Sequence, residues 1–145
     1  MAILKPQQAY SHIAKTYDEI YSSHKCEIEN QYIRTILKKH SIPDGNILDL
    51  GCGTGNFLDW FPESIFRFEG VDISKEMINV AEYKYPEGKF YVGDMANKKF
   101  YSGDFDSIIS LFGSFSYCLK PEVVIHNSYN SLKKNGHFVI MPLTP

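Results

Sequence analysis

Residues 47–57 read ILDLGCGTGNF, and this stretch decides the fold. Its first four residues are mostly apolar and run directly into Gly51, as a buried strand does where the backbone turns sharply. Gly51, Gly53 and Gly55 remove three β-carbons, so the backbone can adopt positive φ values and a ligand can lie directly against amide groups. Apolar residues within 57–61 then predict a helix whose free N–H groups point back at the loop. A strand, a glycine turn and a helix in this order indicate a nucleotide-type binding unit.

The spacing of the glycines separates two kinds of binding loop. A dinucleotide fingerprint requires G-x-G-x-x-G, but Asn56 occupies the position of its third glycine. A nicotinamide- or flavin-dependent oxidoreductase therefore remains as the less favoured function. Together with Asp49 the loop reads D-x-G-x-G-x-G, which resembles motif I of the class I S-adenosylmethionine (SAM) methyltransferases. The resemblance implies that the loop binds the methionine and ribose portions of SAM. A tight β-to-α turn in another doubly wound domain is the structural alternative.

Length and composition predict one ordinary domain. The chain has 145 residues, of which 43% are hydrophobic and 22% are charged, as in a soluble globular protein. We expect a single domain over 1–145, with an N-terminal helical cap over 1–44 and a Rossmann-like core over 45–145. The net charge of −2 provides no general attraction to phosphate backbones, so nucleic acid is not favoured as a partner.

Cysteine and histidine usage bears on compartment and metal binding. Cys26, Cys52 and Cys118 are an odd number at wide spacing, which argues against a disulfide framework and for a reducing compartment. The opening residues contain no apolar run long enough for a signal peptide or a membrane span, so a cytoplasmic location without a membrane partner is expected. The five histidines show no paired metal-ligand spacing, and no metal is predicted.

Two helices are predicted before the first strand. Apolar residues recur at helical spacing over 9–21 and again over 27–40, and a Pro-Asp-Gly turn ends the second helix. Residues 13–18 also resemble the A-x-x-Y-D segment that precedes the core in many small-molecule methyltransferases. The resemblance implies that Tyr10 and Tyr17 close over SAM and the substrate.

The second predicted strand, 66–72, ends at an acid. Asp72 lies 21 residues after Gly51. In doubly wound folds ligands lie outside the carboxyl ends of strands, and an acid about 20 residues after the glycine loop can accept hydrogen bonds from both ribose hydroxyls. Ile73 and Met77 follow and would flank the flat adenine ring. A simple surface acid is the alternative interpretation of Asp72.

The third predicted strand, 89–95, ends in the sequence Gly-Asp-Met. The resemblance implies that Asp94 binds the adenine amino group and that the amide of Met95 binds a ring nitrogen. Adenine presents a donor beside an acceptor, and an acid beside a backbone N–H complements that edge. An ordinary turn is the alternative, since Gly-Asp is frequent in turns.

The fourth predicted strand, 105–111, continues into Phe-Gly-Ser-Phe-Ser-Tyr over 112–117. Methyltransferases of nucleobases and glutamine side chains typically carry an acid or asparagine, two prolines and an aromatic residue here. The lack of that motif argues against DNA and against glutamine side chains as substrates. The run is more similar to that of the small-molecule methyltransferases, and we expect a small-molecule acceptor that is methylated on nitrogen or oxygen. The sequence shows no recognisable catalytic dyad. The candidates to orient the acceptor are Tyr17, Ser114 and Tyr117.

The last predicted elements are a helix that starts at Pro121 and carries Lys133 and Lys134 in its last turn, and a fifth strand over 137–141. The five strands are expected to form an α/β fold with a mostly parallel, doubly wound sheet in the order 3-2-1-4-5 and helices on both faces. Strands six and seven of the family have no counterpart in this sequence. We therefore expect either a fragment of a longer enzyme or an exposed edge at 138–141 that a homodimer or a partner chain covers.

The sequence thus predicts a SAM-dependent methyltransferase, with a non-catalytic SAM-binding protein or a truncated partner subunit as the alternative. It does not reveal the methyl acceptor. The predicted cofactor-binding residues are Tyr17, Asp49, Gly51, Gly53, Gly55, Asp72, Ile73, Met77, Gly93, Asp94, Met95 and Leu111.

Overall fold

The computed structural model describes residues 6–21, 24–42, 44–62 and 66–143. In chain order the helices and strands are α1 (Pro6–Ile13), α2 (Tyr17–Tyr21), α3 (His24–Lys39), β1 (Gly45–Leu50), α4 (Asn56–Asp59), β2 (Phe66–Asp72), α5 (Lys75–Lys84), β3 (Lys89–Val92), β4 (Phe105–Ser110), α6 (Pro121–Ser131) and β5 (Leu132–Ile140). Two short 3₁₀ helices, Lys98–Tyr101 and Ser114–Tyr117, lie on either side of β4.

The strand β1 lies at the centre of a five-stranded sheet in the order β3-β2-β1-β4-β5. Each pair of neighbours is parallel, so the predicted order and direction of the strands are confirmed. Because parallel strands end at the same edge of a sheet, β1, β2 and β4 deliver the glycine loop, Asp72 and Leu111 to one edge. β5 pairs with β4, and no described strand pairs with its other side.

The core lies on both faces of the sheet because β1 is apolar on both. Ile47 belongs to a cluster with Leu37 of α3, whereas Leu48 and Leu50 belong to a second cluster with Val124 of α6. All three side chains of β1 are fully buried. Complete burial of a side chain of this size stabilises a fold by about 1.5 to 3 kcal/mol. Helices therefore cover both faces of the sheet, as predicted.

The N-terminal segment forms two helices where the sequence predicts one over 9–21. α1 ends at Ile13, and α2 begins at Tyr17. Both the backbone N–H and the hydroxyl of Thr16 bind the carbonyl oxygen of Ile13, at 3.0 and 3.4 Å, and close a tight turn between the helices. A threonine hydroxyl that binds nearby backbone competes with a continuous helix in this way.

The boundary between α6 and β5 also differs from the prediction. Lys133 and Lys134 are predicted in the last turn of a helix, but α6 ends before them and both lie in β5. Leu132 already pairs with Phe105 and packs against the same core cluster, so the helix cannot continue. The regular pairing of β5 with β4 resumes at His137, and the residues of β5 between Leu132 and His137 form a bulge. The strand predicted over 137–141 is this regular part.

The third strand is shorter than predicted, because β3 ends at Val92. Gly93, Asp94 and Met95 therefore lie in the turn that follows β3. This position still places them at the carboxyl edge of the sheet.

None of the described helices is both long and apolar enough to cross a membrane. Within the same ranges, no group of three or more His, Cys, Asp and Glu side chains could hold a metal ion. That the protein needs no metal stays a prediction.

Candidate functional site

The glycine loop is fixed to the end of β2. The amides of Gly51 and Cys52 both donate to the carbonyl oxygen of Val71, at 2.7 and 3.1 Å. Gly51 and Gly53 have φ values of 83° and 54°, in the region that favours glycine. A β-carbon at Gly51 would lie 2.4 Å from Cβ of Ser114, whereas one at Gly53 would meet nothing within 4 Å. Gly51 therefore allows the close approach of a neighbouring segment, and Gly53 leaves open space.

A cavity of about 660 Å³ lies beside this loop, at the carboxyl ends of β1 and β4. The loop, the N-terminal helices and residues 111–117 and 141–143 enclose it. The structure thus brings together segments that are far apart in the sequence. The predicted site residues that line the cavity are Tyr10, Tyr17, Asp49, Gly51, Gly53, Leu111, Ser114 and Tyr117.

Asp49 is the most unusual group in the cavity lining. Its side chain faces the cavity, although the residue is only 4% exposed. Its carboxyl group forms no hydrogen bond or ion pair with any other described residue. Burial, and secondarily the nearby charge of Asp72, raises the pKa of Asp49 to about 8. Because an isolated buried carboxylate is costly, this position favours a cationic partner.

Asp72 connects the loop to the start of α5. One carboxyl oxygen accepts from the amide of Gly53 at 2.9 Å, and the other accepts from the amide of Ser74 at 2.8 Å. Burial raises the pKa of Asp72, and these hydrogen bonds oppose the shift. Each oxygen keeps a second lone pair, so the carboxylate can hold the loop and still accept from a ligand. It does not line the cavity.

The other predicted cofactor residues also lie outside the cavity. Met77 is buried, Ile73 is exposed, and Asp94 accepts a hydrogen bond from the amide of Ala96 at 2.8 Å. The methyl carbon of Met95 lies 3.7 Å from the place that a β-carbon of Gly51 would occupy. The residues of this group are Gly55, Asp72, Ile73, Met77, Gly93, Asp94 and Met95. Gly55 lies in the glycine loop itself, and the others lie at the ends of β2 and β3 and in or just before α5, next to the loop.

Four tyrosines line one side of the cavity. The ring of Tyr10 lies 6.2 Å from the rings of Tyr17 and Tyr117, and Tyr17 lies 4.5 Å from Tyr21. Burial raises the pKa of Tyr10 and of Tyr17 well above the usual value. Both phenols are therefore protonated at neutral pH, so they can donate hydrogen bonds but are poor bases.

The segment after β4 is held in a strained conformation against the loop. Phe112 has a φ of 54°, which is uncommon for a bulky residue. The amide of Gly113 donates to the carbonyl of Met141 at 2.9 Å, and the hydroxyl of Ser114 donates to the carbonyl of Gly51 at 3.2 Å. Ser114 therefore braces the loop.

Sequence reasoning missed several residues of the site. Asp18, Thr54 and Lys84 form a hydrogen-bonded group at the edge of the cavity. Asp18 belongs to the A-x-x-Y-D segment, which was the signal that could have indicated it. Arg34 and Trp60 line the outer part, where the guanidinium carbon lies 5.7 Å from the ring centre.

Comparison with known proteins gives several matches to methyltransferases. A family profile described as a methyltransferase domain matches residues 47–136. Demethylmenaquinone methyltransferase of Thermotoga maritima is 34% identical over 101 residues, which cover 68% of this chain and 44% of that protein. The dTDP-3-amino-3,6-dideoxy-alpha-D-glucopyranose N,N-dimethyltransferase of Streptomyces fradiae is 28% identical over 116 residues, which cover 77% of this chain and 45% of that protein.

A solved structure supports the same relationship. The S-adenosylmethionine-dependent methyltransferase from Clostridium acetobutylicum matches with a TM-score of 0.70 at 25% identity, over 91% of this chain and 56% of that one. The chain spans about half the length of the curated relatives it matches.

Proposed function

We propose that this chain, which belongs to the SAM-dependent methyltransferase family, carries the cofactor-binding part of an enzyme that methylates nitrogen or oxygen in a small molecule. The observation that carries the proposal is Asp49, a buried carboxyl group without a described partner that faces a cavity beside the glycine loop. SAM presents an ammonium and a sulfonium group, either of which would compensate this carboxylate.

The charge of the cavity lining supports a cationic ligand. Five of the described residues that line the cavity are acids, and one, Arg34, is basic and already paired with Glu27. Lys84, outside the lining, pairs with Asp18 and Asp59. The acids are Asp18, Glu27, Glu29, Asp49 and Asp59. The pyrophosphate of a dinucleotide would be repelled by such a lining. This favours SAM over NAD as the ligand.

The residues of the chain suit the reaction of the family. When bound, SAM supplies a methyl group on a good neutral leaving group, so the protein mainly has to orient the acceptor and exclude water. We propose that Asp49 holds the ammonium group and that Asp72 and Asp94 hold ribose and adenine. The tyrosine faces suit a sulfonium, since aromatic rings attract cations. Tyr17 and Tyr117 can donate hydrogen bonds to an acceptor.

A small-molecule acceptor is supported by the names of the two curated relatives, which concern a quinone and an amino sugar. A non-catalytic SAM-binding protein or a truncated partner subunit remains the second candidate. Among the described strands none pairs with the outer side of β5, and a second copy or a partner chain could pair there at 138–141. We also propose a cytoplasmic location, in keeping with the widely spaced cysteines.

Equilibrium dialysis with SAM and with NAD tests the ligand. Binding of SAM alone is expected, and binding of NAD alone would refute the proposal. Turnover with a panel of amine and hydroxyl acceptors then separates an enzyme from a binding protein.

Asp72→Ala is expected to weaken SAM binding by about 1 to 3 kcal/mol, the range for loss of hydrogen bonds to a charged group. The same change frees the amides of Gly53 and Ser74, so the free energy of unfolding should also fall. Calorimetric titration and urea denaturation of the same sample measure both effects. Asp104→Ala, at the opposite end of the sheet, is the control. Unchanged SAM affinity in Asp72→Ala would mean that the ribose is held elsewhere.

A further inference from the structure

The carboxylate of Asp18 joins the N-terminal segment to the glycine loop. One of its oxygens accepts a hydrogen bond from the hydroxyl of Thr54 at 2.5 Å, and the other accepts from Lys84 Nζ at 2.7 Å. Lys84 also donates to Oδ1 of Asn56 at 2.8 Å. We call these four residues, Asp18, Thr54, Asn56 and Lys84, the Asp18 latch. The latch connects α2, the glycine loop with the start of α4, and the end of α5.

The four latch residues are buried or half-buried, and two of them carry opposite charges. Thr54 is 1% exposed although it lies in a loop. Burial by itself would raise the pKa of Asp18, but the hydrogen bonds from Lys84 and Thr54 outweigh burial and keep that pKa below its usual value. Asp18 is therefore ionised at neutral pH, with both oxygens engaged.

Tyr17 directly precedes Asp18 of the latch in the chain. Tyr17 lines the cavity, and its ring packs against those of Tyr10 and Tyr21. At the other end of α5, the hydroxyl of Ser11 in α1 donates to Glu76 at 2.6 Å. Residues 6–21 are thus attached at both ends of α5 and contribute tyrosines to the cavity between the attachments.

We propose that Asp18 is a positioning residue for SAM binding, which ties Tyr17 and the segment 6–21 to the glycine loop through Thr54. The glycine loop and the segment 6–21 then contact the ligand as one unit. The inference rests on the proposed function in that SAM is the ligand. An ion pair this exposed contributes little to stability. If Asp18 had a purely structural role, its substitution would change stability and SAM affinity only slightly. A positioning role predicts instead that substitutions of Asp18 and Tyr17 have non-additive effects on SAM affinity.

The test compares Asp18→Asn with a matched control, Asp106→Asn. The Asp106 side chain is 37% exposed against 39% for Asp18, accepts from Lys133 at 2.8 Å, and lies at the amino end of β4, away from the cavity. Asp18→Asn is expected to weaken SAM binding about tenfold, a change well within the range of coupled contacts. Asp106→Asn should leave the affinity unchanged. Thr54→Val, which removes the hydroxyl without altering charge, should reproduce the effect of Asp18→Asn.

Two further readouts separate positioning from stability. Tyr17→Ala should weaken SAM binding in the wild-type background and have little further effect in the Asp18→Asn background. Hydrogen exchange of the amides of 6–21 should slow on addition of SAM in the wild type but not in Asp18→Asn.

The inference is overturned if Asp18→Asn and Thr54→Val bind SAM as tightly as the wild type, or if Tyr17→Ala has the same effect in both backgrounds. An equal loss in Asp106→Asn would overturn it as well. These results would leave the proposed function standing, provided that the wild type binds SAM. A wild-type chain that does not bind SAM would overturn both.

Discussion

Asp49→Asn is expected to weaken SAM binding by about 2 to 5 kcal/mol, the range for removal of one partner of a buried charge pair. The amide keeps the shape of the side chain but cannot compensate the ammonium group of the ligand. Calorimetric titration measures the loss directly. An affinity equal to that of the wild type would show that the ammonium group binds elsewhere.

The raised pKa of Asp49 makes this binding depend on pH. With a pKa of about 8 in the free protein, the carboxyl group is mostly protonated at pH 7. A cationic ligand favours the ionised form, so SAM binding should release a proton at pH 7 and strengthen as the pH rises from 6 toward 8. Titration in buffers of different ionisation enthalpy measures the released proton. Asp49→Asn should abolish the release.

A stability measurement on Asp49→Asn excludes misfolding as the cause of its weaker SAM binding. Because burial raises the pKa of Asp49 in the folded state, its stabilising contribution is complete below the unfolded pKa, near 4, and is lost as the pH rises through about 8. The side-chain amide in Asp49→Asn does not ionise, so the variant does not lose stability in this way as the pH rises. Asp49→Asn without ligand should therefore be at least as stable as the wild type at pH 8. A less stable variant at that pH would contradict the assignment of a buried, unpartnered carboxyl group.

Gly51→Ala is expected to lower the free energy of unfolding by about 2 to 5 kcal/mol, since a left-handed backbone costs about 1 to 2 kcal/mol and an overpacked neighbour about 1 to 3 kcal/mol. The new methyl group would lie 2.4 Å from Cβ of Ser114. Relief of this contact must displace the segment after β4, so SAM binding should be lost as well.

Gly53→Ala is the matched control, because its φ is also positive but a β-carbon there meets nothing within 4 Å. It should lower the free energy of unfolding by only about 1 to 2 kcal/mol. Urea denaturation of both variants gives the comparison. Equal destabilisation would show that the contact with Ser114 has no effect.

The fold was largely predictable from the sequence because its signals are local. Buried strands that end at glycines or acids, and helices between them, determine the parallel sheet and its order. The break at Thr16 was not predictable, because the apolar spacing continues through it while the threonine binds the backbone of Ile13. The start of β5 at Leu132 depends on packing against Phe105, which no local pattern shows.

The site was predictable where one segment provides it. Asp49, Gly51 and Gly53 lie within five consecutive residues of the segment 47–57, and all three line the cavity. The Asp18 latch was not predictable, because its acid and its lysine are 66 residues apart and meet only in the folded chain. The hydrogen bonds from backbone amides to Asp72 were also not predictable, since the positions of those amides depend on how the loop folds against β2.

A crystal structure of this chain with SAM tests the central claim most directly. We predict that the ammonium nitrogen lies within about 2.7 to 3.2 Å of an Asp49 carboxyl oxygen, with the loop at Gly51 and Gly53 against the ligand. A complex in which SAM lies away from Asp49, or in which the glycine loop contacts no ligand, would contradict the account.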